Sequence, residues 1–569
     1  MNTNNKYYLP VNGVPTFYVA SVSAYRENLV SSLATKQNSV QTDTRLSWNN
    51  RYDAHNIAVF GGVRINSENY TRSKQLGYNT GSDKTPFMSE RLLNAQSTGA
   101  DESWTNLDMY VQGNYDYLGR YFAQVNLTAS GSSRFGKDAI GGLKMLGTVW
   151  GLFPSVQGSW VITNEPWFTK TPGIDYLRLT AGFDMSGNDD IDVFAAKSYF
   201  ASSLYLNEIA GLTYAGIGNT AIKWETTRRF NVGFEGNFLN NHLTVGFNYF
   251  KSSTTGLLGL QKLGFISGIE QNWANCGELA NNGFDASLRG KIIATKDWGW
   301  ELGASVGHYK NKITSLGLSN GQTWYTTDIN GATILTQEGS AANLFYGYRT
   351  KGVFSTTKQA QDAGLYVLDA NGVKKNYFEA GDMIFDNVYS ADNEINENDR
   401  VVIGDPNPDI YGNIFTSVSW KNLRLDANLT YCLGNDVYNY MRQQLESGSR
   451  FMNQTTAVTR RWMAEGDVTD MPKATFQDPM ENSRFSDRWI EDGSYLKLKT
   501  ITLSYDLPIN STYLQGLQFW IQANNVLTLT KYLGTDPEFS STPSVIGQGI
   551  DLGYIGQSRS FMAGIKINL

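Results

Sequence analysis

Between Thr226 and Ser252 the chain alternates apolar and polar residues with a period of two. Phe230, Val232, Phe234 and Phe238 fall on one face of an extended strand, and Arg229, Asn231, Glu235 and Asn237 on the other, because successive strand side chains point to opposite sides. Asn240-Asn241 supplies residues that tolerate left-handed dihedrals, after which Leu243, Val245, Phe247 and Tyr249 alternate with Thr244, Gly246 and Asn248. The spacing predicts a hairpin of two strands of about ten residues, the length of a transmembrane β-strand with lipid on one side and a watery lumen on the other. A soluble sandwich is the competing interpretation.

The same pattern recurs along the chain. Thr44 to Arg51 pairs with Asn56 to Ile65, where Ile57, Val59, Val63 and Ile65 share a face. Leu107 to Tyr117 turns at Leu118-Gly119 into Tyr121 to Thr128, and Pro154 to Thr163 precedes Tyr176 to Met185. Later pairs are Leu279 to Ile292 with Gly299 to Tyr309, Gly412 to Trp420 with Leu423 to Tyr431, and Tyr495 to Leu507 with Leu517 to Asn525; Arg559 to Leu569 closes the chain. Within Tyr495 to Leu507 the apolar positions move from Leu496 and Leu498 to Ile501, Leu503 and Tyr505, which predicts a bulge. About fourteen to sixteen strands result. Residues up to about Gln41 show no sustained period and are expected to form a loop with one strand.

Short turns alternate with connections of tens of residues: Asn66 to Trp104, Ser130 to Phe153, Ser186 to Glu225, Lys310 to Ile410 and Leu433 to Gly493. That asymmetry is expected of an outer-membrane barrel, with short periplasmic turns and long extracellular loops. Trp160, Tyr249, Trp420, Tyr431 and Tyr505 lie near strand ends, where amphipathic rings suit a lipid–water boundary. The expected organisation is an N-terminal loop or strand region (1–41), a first set of barrel strands (42–309), a long extracellular loop (310–410) and C-terminal barrel strands (411–569).

Composition sharpens this. Of 569 residues, 41% are hydrophobic and 18% charged, with 13% aromatic and 56 glycines, a balance unlike a cytosolic enzyme. No run approaches the ~18 apolar residues of a membrane helix, so any membrane role falls to strands. The net charge of -6 comes from 47 basic and 53 acidic residues mixed along the chain, without a basic cluster that would track phosphates, which argues against nucleic acid. Cys276 and Cys432 match no metal or redox spacing. The first residues, M-N-T-N-N-K-Y-Y-L-P, lack the basic head and apolar core of a secretion signal, so the chain is expected to be a mature segment or an N-terminally incomplete one.

Several stretches resemble the SusC/RagA family of TonB-dependent outer-membrane transporters of Bacteroidetes-type bacteria: S-G-S-S-R-F-G at Ser130 to Gly136, F-P-S-V-Q-G-S-W at Phe153 to Trp160, L-R-L-T-A-G-F-D-M-S-G-N at Leu177 to Asn188 and K-W-E-T-T at Lys223 to Thr227. G-E-L-A-N-N-G-F-D at Gly277 to Asp285, G-Y-R-T-K-G-V-F at Gly347 to Phe354, D-R-V-V-I-G-D-P-N-P at Asp399 to Pro408, Y-L-K-L-K-T-I-T-L-S-Y at Tyr495 to Tyr505 and N-N-V-L-T-L-T-K-Y at Asn524 to Tyr532 continue in the family's order. The resemblance implies a plugged barrel that imports oligosaccharides or oligopeptides, with a SusD-like surface lipoprotein over its mouth and energy delivered by TonB. Nothing in the chain resembles the family's plug, N-terminal sandwich domain or TonB-contacting segment, so TonB would be reached through a segment missing here. Barrels of this type have about 22 strands.

Candidate chemistry is sparse. Asp386 to Asp399, D-N-V-Y-S-A-D-N-E-I-N-E-N-D, lies where the family often has a calcium-type loop; Asp386, Ser390, Asp392, Glu394, Asn396 and Asp399 would supply oxygens to Ca2+. Val388 at the first ligand position and Asn393 at the glycine position depart from such loops, and a solvated acidic loop is the alternative. The three histidines, His55, His242 and His308, sit in different hairpins and form no local zinc motif. Nucleophile-elbow and phosphate-loop patterns are absent. Substrate contact is expected from loop aromatics, with Trp324, Tyr325, Tyr346, Tyr348 and Trp462 as candidates, because rings stack on apolar faces of sugars or side chains.

The sequence thus points to an all-β protein, a transmembrane antiparallel β-barrel with long extracellular loops in the outer membrane, acting in nutrient import and not as an enzyme. A passive porin-like or vestigial barrel and a soluble β-rich glycan-binding protein are the rival interpretations.

Overall fold

The computed structural model describes residues 2–9, 29–78, 93–139, 142–168, 171–205, 209–263, 268–269, 271–318, 321–369, 371–389, 392–509, 514–539 and 545–568. Two compact units divide the chain: Met1–Gly158, Gly182–Arg228 and Thr254–Cys276 form the first, and Ser159–Ala181, Arg229–Ser253 and Gly277–Leu569 the second.

In the first unit, β1 (Asn2–Leu9), β2 (Leu29–Tyr52), β3 (His55–Tyr78), β4 (Leu93–Tyr117) and β5 (Tyr121–Ser132) pair in succession, each antiparallel to the next. The turn between β4 and β5 sits at Leu118-Gly119, both at positive φ (57° and 65°), as the sequence predicts. Exposed apolar residues alternate along the wall: Val59, Val63 and Ile65 on β3, Met109, Val111 and Tyr115 on β4, Val125 and Leu127 on β5. The opposite face is polar. Arg64 pairs with Asp43 at 3.1 Å, and the Tyr110 hydroxyl donates to the same carboxylate at 2.7 Å. Gly62 leaves the space for this, since a Cβ there would lie 2.7 Å from the Tyr110 hydroxyl.

Two expectations are corrected here. Among the described residues of the N-terminal stretch there are two strands where one is expected, β1 at Asn2–Leu9 and β2 from Leu29. The connection Asn66 to Trp104 is largely strand, because β3 runs on to Tyr78 and β4 starts at Leu93, with Tyr70 opposite Glu102. These extensions are polar on both faces, so no apolar period marks them, yet a backbone ladder needs none.

Strand β6 (Thr148–Val161) is followed by β7 (Ile174–Asn188), β8 (Glu225–Phe238) and β9 (Leu243–Thr255). The β8–β9 turn places Leu239, Asn240 and Asn241 at φ of 56°, 57° and 60°, which suits asparagine and explains the break in alternation there.

The second unit continues with β10 (Glu278–Ala294) and β11 (Trp298–Ser315), then the loop strands β12 (Trp324–Ile329), β13 (Ala332–Gln337), β14 (Leu344–Gly347) and β15 (Val401–Gly404). Wall strands β16 (Ile410–Trp420) and β17 (Leu423–Leu433) follow, then the loop strands β18 (Asp436–Asn439) and β19 (Ile490–Asp492). The chain finishes with β20 (Tyr495–Leu507), β21 (Gly516–Thr530), the short β22 (Ile550–Asp551) and β23 (Ser560–Asn568).

The wall pairs in the order β10–β11–β16–β17–β20–β21–β23, antiparallel throughout. Phe234, Phe247, Phe284 and His308 form a ring ladder across β8 to β11, with centroids 6.0, 6.0 and 5.6 Å apart. Trp298 and Trp420, opposite each other beside two short turns, stack at 5.9 Å with about half of each side chain exposed, as boundary aromatics would. The predicted bulge in β20 is present: its register with both neighbours shifts between Leu498 and Thr500. Upstream of it Lys497 is buried, and downstream the exposed apolar positions are Leu503, Tyr505 and Leu507.

Candidate functional site in the long loops

The connections β11–β16, β17–β20 and β21–β23 fold together as a cap with its own apolar cores. Asn330-Gly331, at φ 50° and 83°, makes a tight turn that pairs β12 with β13, and β14 and β15 complete a four-stranded sheet. Ile334 and Phe345 of that sheet, Tyr438 of β18, Trp489 and Ile550 are all 0% exposed and pack as one cluster from all three loops. A second cluster gathers Phe354, Phe378, Met383 and Phe385.

The five candidate aromatics separate. Trp324 and Tyr325, neighbours on β12, project to opposite faces and are 47% and 38% exposed. The Trp324 ring lies 6.5 Å from that of Tyr346 on β14, giving an aromatic pair on one side of the small sheet. Burial pushes the Tyr346 hydroxyl above its ordinary pKa. Tyr348, by contrast, is only 7% exposed; Arg484 and Arg400 lie over its ring at 4.8 and 5.6 Å, and Phe385 meets it edge-on. Trp462 donates its Nε1 hydrogen to the Ser355 carbonyl at 3.1 Å and packs on the second core. Gly381 leaves room for its ring, where a Cβ would come within 2.5 Å. Trp324, Tyr325 and Tyr346 therefore present surface, while Tyr348 and Trp462 hold the cap together.

In the acidic loop, Asp386 is paired with Lys351 at 2.6 Å, and the Asp392 carboxylate accepts the Glu394 N–H. Asn396 caps the short turn Glu397–Asp399 through the Asn398 N–H. Asp399 is fully buried and accepts from the amides of Val388, Tyr389 and Asn396 at 2.9–3.0 Å. Glu394 lies in a backbone bridge to Tyr366, and Ser390 falls outside the described residues. Among the described residues no three His, Cys, Asp or Glu side chains gather as a metal cluster. The Asp399 carboxyl is held by three backbone donors.

No family profile matches the chain. It is 26% identical over 550 residues to TonB-dependent receptor P3 of Formosa agariphila, a match covering 92% of this chain and 52% of that one. It is 26% identical over 482 residues to TonB-dependent receptor SusC of Bacteroides thetaiotaomicron, covering 80% of this chain and 43% of the relative. Among solved structures, that of the RagAB peptide transporter superposes with a TM-score of 0.77 at 24% identity, over 100% of this chain and 58% of that one. The chain is similar to SusC/RagA-type TonB-dependent receptors along most of its length, and its fold is that of an outer-membrane β-barrel. It spans about half the length of the curated relatives it matches.

The SusC/RagA-like chain also holds polar residues that the alternation did not single out. Lys497 of β20 is 1% exposed, and its Nζ reaches Asp536 at 2.9 Å and Glu538 at 3.0 Å, both on the β21–β23 loop; Lys499 meets Glu538 at 2.6 Å. The far part of the same loop is tied back to its start by Tyr532, whose hydroxyl donates to Asp551 at 2.6 Å. A lysine between Leu496 and Leu498 signals an inward polar site, but its carboxylate partners lie about forty residues on. On the cap surface, the Phe451 and Phe476 rings meet at a tilt with centroids 5.1 Å apart and are 94% and 59% exposed. Only the incongruity of a large apolar residue in the polar run S-G-S-R-F-M-N-Q could have marked Phe451.

Proposed function

We propose that the chain forms the barrel part of a TonB-dependent importer that brings oligosaccharides or oligopeptides across the outer membrane, with a SusD-like lipoprotein over its loops and TonB engaged through an N-terminal segment of the family's kind. The observation that carries this reading is the likeness to TonB-dependent receptors, SusC among them, along most of the chain. The shared fold with the RagAB peptide transporter agrees with it. The folded cap supports the same view: a surface that selects large cargo needs its loops held in one arrangement. Trp324, Tyr325 and Tyr346 are proposed as substrate-facing. No catalytic role is proposed, and the loop around Asp399 is proposed to be ordered by its amides, with calcium binding as the alternative.

Uptake in the native host decides the point. Import of labelled oligopeptide or maltooligosaccharide by cells carrying the intact locus should stop on its deletion and on adding an uncoupler; uptake that persists with the uncoupler favours the passive porin-like reading. Chelation with EDTA should leave the melting temperature of the purified chain unchanged, and a drop restored by Ca2+ favours the cation.

A further inference from the structure

Beside the exposed Phe451–Phe476 pair lies an open pocket of about 570 Å3, lined by Ser449, Arg450, Phe476, Asp478, Glu481 and Arg484 among others. Its frame is rigid. The Asp478 carboxylate accepts from the amides of Asn482 and Ser483 at 2.8 Å and from the Ser483 hydroxyl at 2.6 Å, and the Gln477 amide donates to the Ser449 carbonyl. Gln477, Asp478 and Glu481 all sit at positive φ (62°, 46° and 53°), an unusual density of strained non-glycine backbone in five residues. Such strain is tolerated where surrounding structure fixes it, and it clusters at ligand sites.

The chemistry left free at this pocket is restricted. Asp478 is consumed by its own loop, Glu481 is paired with Arg484 at 3.2 Å, and Arg484 lies over Tyr348 and Phe385. Arg450 has no carboxylate within ion-pair distance among the described residues, and the paired rings carry neither hydroxyl nor N–H. Reading a sugar requires several convergent donors and acceptors; here the Ser449 and Ser483 hydroxyls donate to Ser447 and Asp478, which leaves the Gln477 side-chain amide as the one neutral polar group of the lining open to a ligand among the described residues. An apolar ring pair next to one unpaired guanidinium instead complements an apolar side chain flanked by a carboxylate.

We propose that this pocket is a subsite for extended acidic-apolar peptides, with an apolar side chain on Phe451 and Phe476 and a neighbouring carboxylate on Arg450. It rests on the import reading in that it names the class of cargo the cap selects. Both side chains to be changed are exposed, so neither substitution threatens the cap.

The test is titration calorimetry on the full chain in micelles with three probes: a capped octapeptide of alternating leucine and aspartate, its leucine–lysine counterpart, and maltoheptaose. The wild type should bind the aspartate peptide in preference to the other two. F451S should weaken that binding by about tenfold, and R450E should abolish it and favour the lysine peptide, in line with loss of a charge-assisted contact. Unchanged binding in both variants, failure of the wild type to bind the aspartate peptide, or maltoheptaose binding lost in the same variants would overturn the subsite. Cellular uptake separates the two claims: peptide import insensitive to F451S and R450E overturns the subsite alone, whereas intact subsite binding without energised import overturns only the importer.

Discussion

Phe561 on the last wall strand and Phe345 in the cap are the same residue type in opposite circumstances: the first is 81% exposed, the second 0%. The contrast holds more widely. Leu46, Val111, Ile521 and Ile565 of the wall stand out from the protein, whereas Ile334, Tyr438 and Trp489 of the cap are sealed within it. Lipid is as apolar as a leucine, so wall side chains gain little from each other, and the strand ladder, which satisfies every backbone group where no water can, sets the structure there. The cap folds by excluding water and packing, as a soluble domain does.

The largest expected effect comes from a matched pair of truncations. Phe345→Ala should destabilise the cap by about 3–5 kcal/mol through lost burial and the cavity left behind, while Phe561→Ala in micelles should change stability by less than about 0.5 kcal/mol; differential scanning with limited proteolysis of the loops reads both. Equal losses would break the comparison. Next, Lys497→Ala strands the Asp536 carboxylate at the seam between wall and loop while Glu538 keeps Lys499, a change of about 3–5 kcal/mol for a broken buried pair. Its signature is protease cleavage within 531–558 with the strands intact by circular dichroism.

A charge on the wall should act through the membrane instead. Val111→Lys places an ammonium on the apolar face of β4 at about 2–4 kcal/mol near the bilayer midplane, lowering the yield of assembled protein in the outer membrane, while Thr128→Lys on the polar face of β5 should assemble normally. The smallest effect is acid loosening of the loop. Burial alone raises the Asp536 carboxyl, but Lys497 and the amides of Glu538 and Gln557 outweigh it and hold it below its ordinary value. A carboxylate depressed in the folded state contributes stability above its unfolded pKa of about 3.9 and loses it as pH falls through the folded value. Protection factors of the amides in 531–558, taken against the intrinsic exchange rate at each pH, should therefore be high at pH 7 and fall below about pH 4, and pH-independent protection would count against the clamp.

The wall was readable in the sequence because its rule is local. A period of two marks Phe230 to Phe238 or Met109 to Val111, Asn240-Asn241 names its turn, and the shift from Leu498 to Ile501 gives away the bulge at Lys499. The cap obeys no such rule. Phe345, Trp489 and Ile550 meet from segments up to about two hundred residues apart, and nothing in the neighbours of any one of them announces the others. The same holds for Lys497 and Asp536. Tyr348 and Trp324 look alike as loop aromatics; only the fold makes the first a packed residue and the second an exposed one.

Strands β11 and β16 are hydrogen-bonded neighbours although ninety-odd residues separate them, and β17 and β20 likewise pair across a long loop. Each long loop therefore leaves and rejoins the sheet through a gap of one strand spacing, about 4.8 Å. That geometry makes each such loop an exchangeable cassette: its length and sequence can drift, or be replaced wholesale, while the two stumps that carry it keep the same address in the sheet.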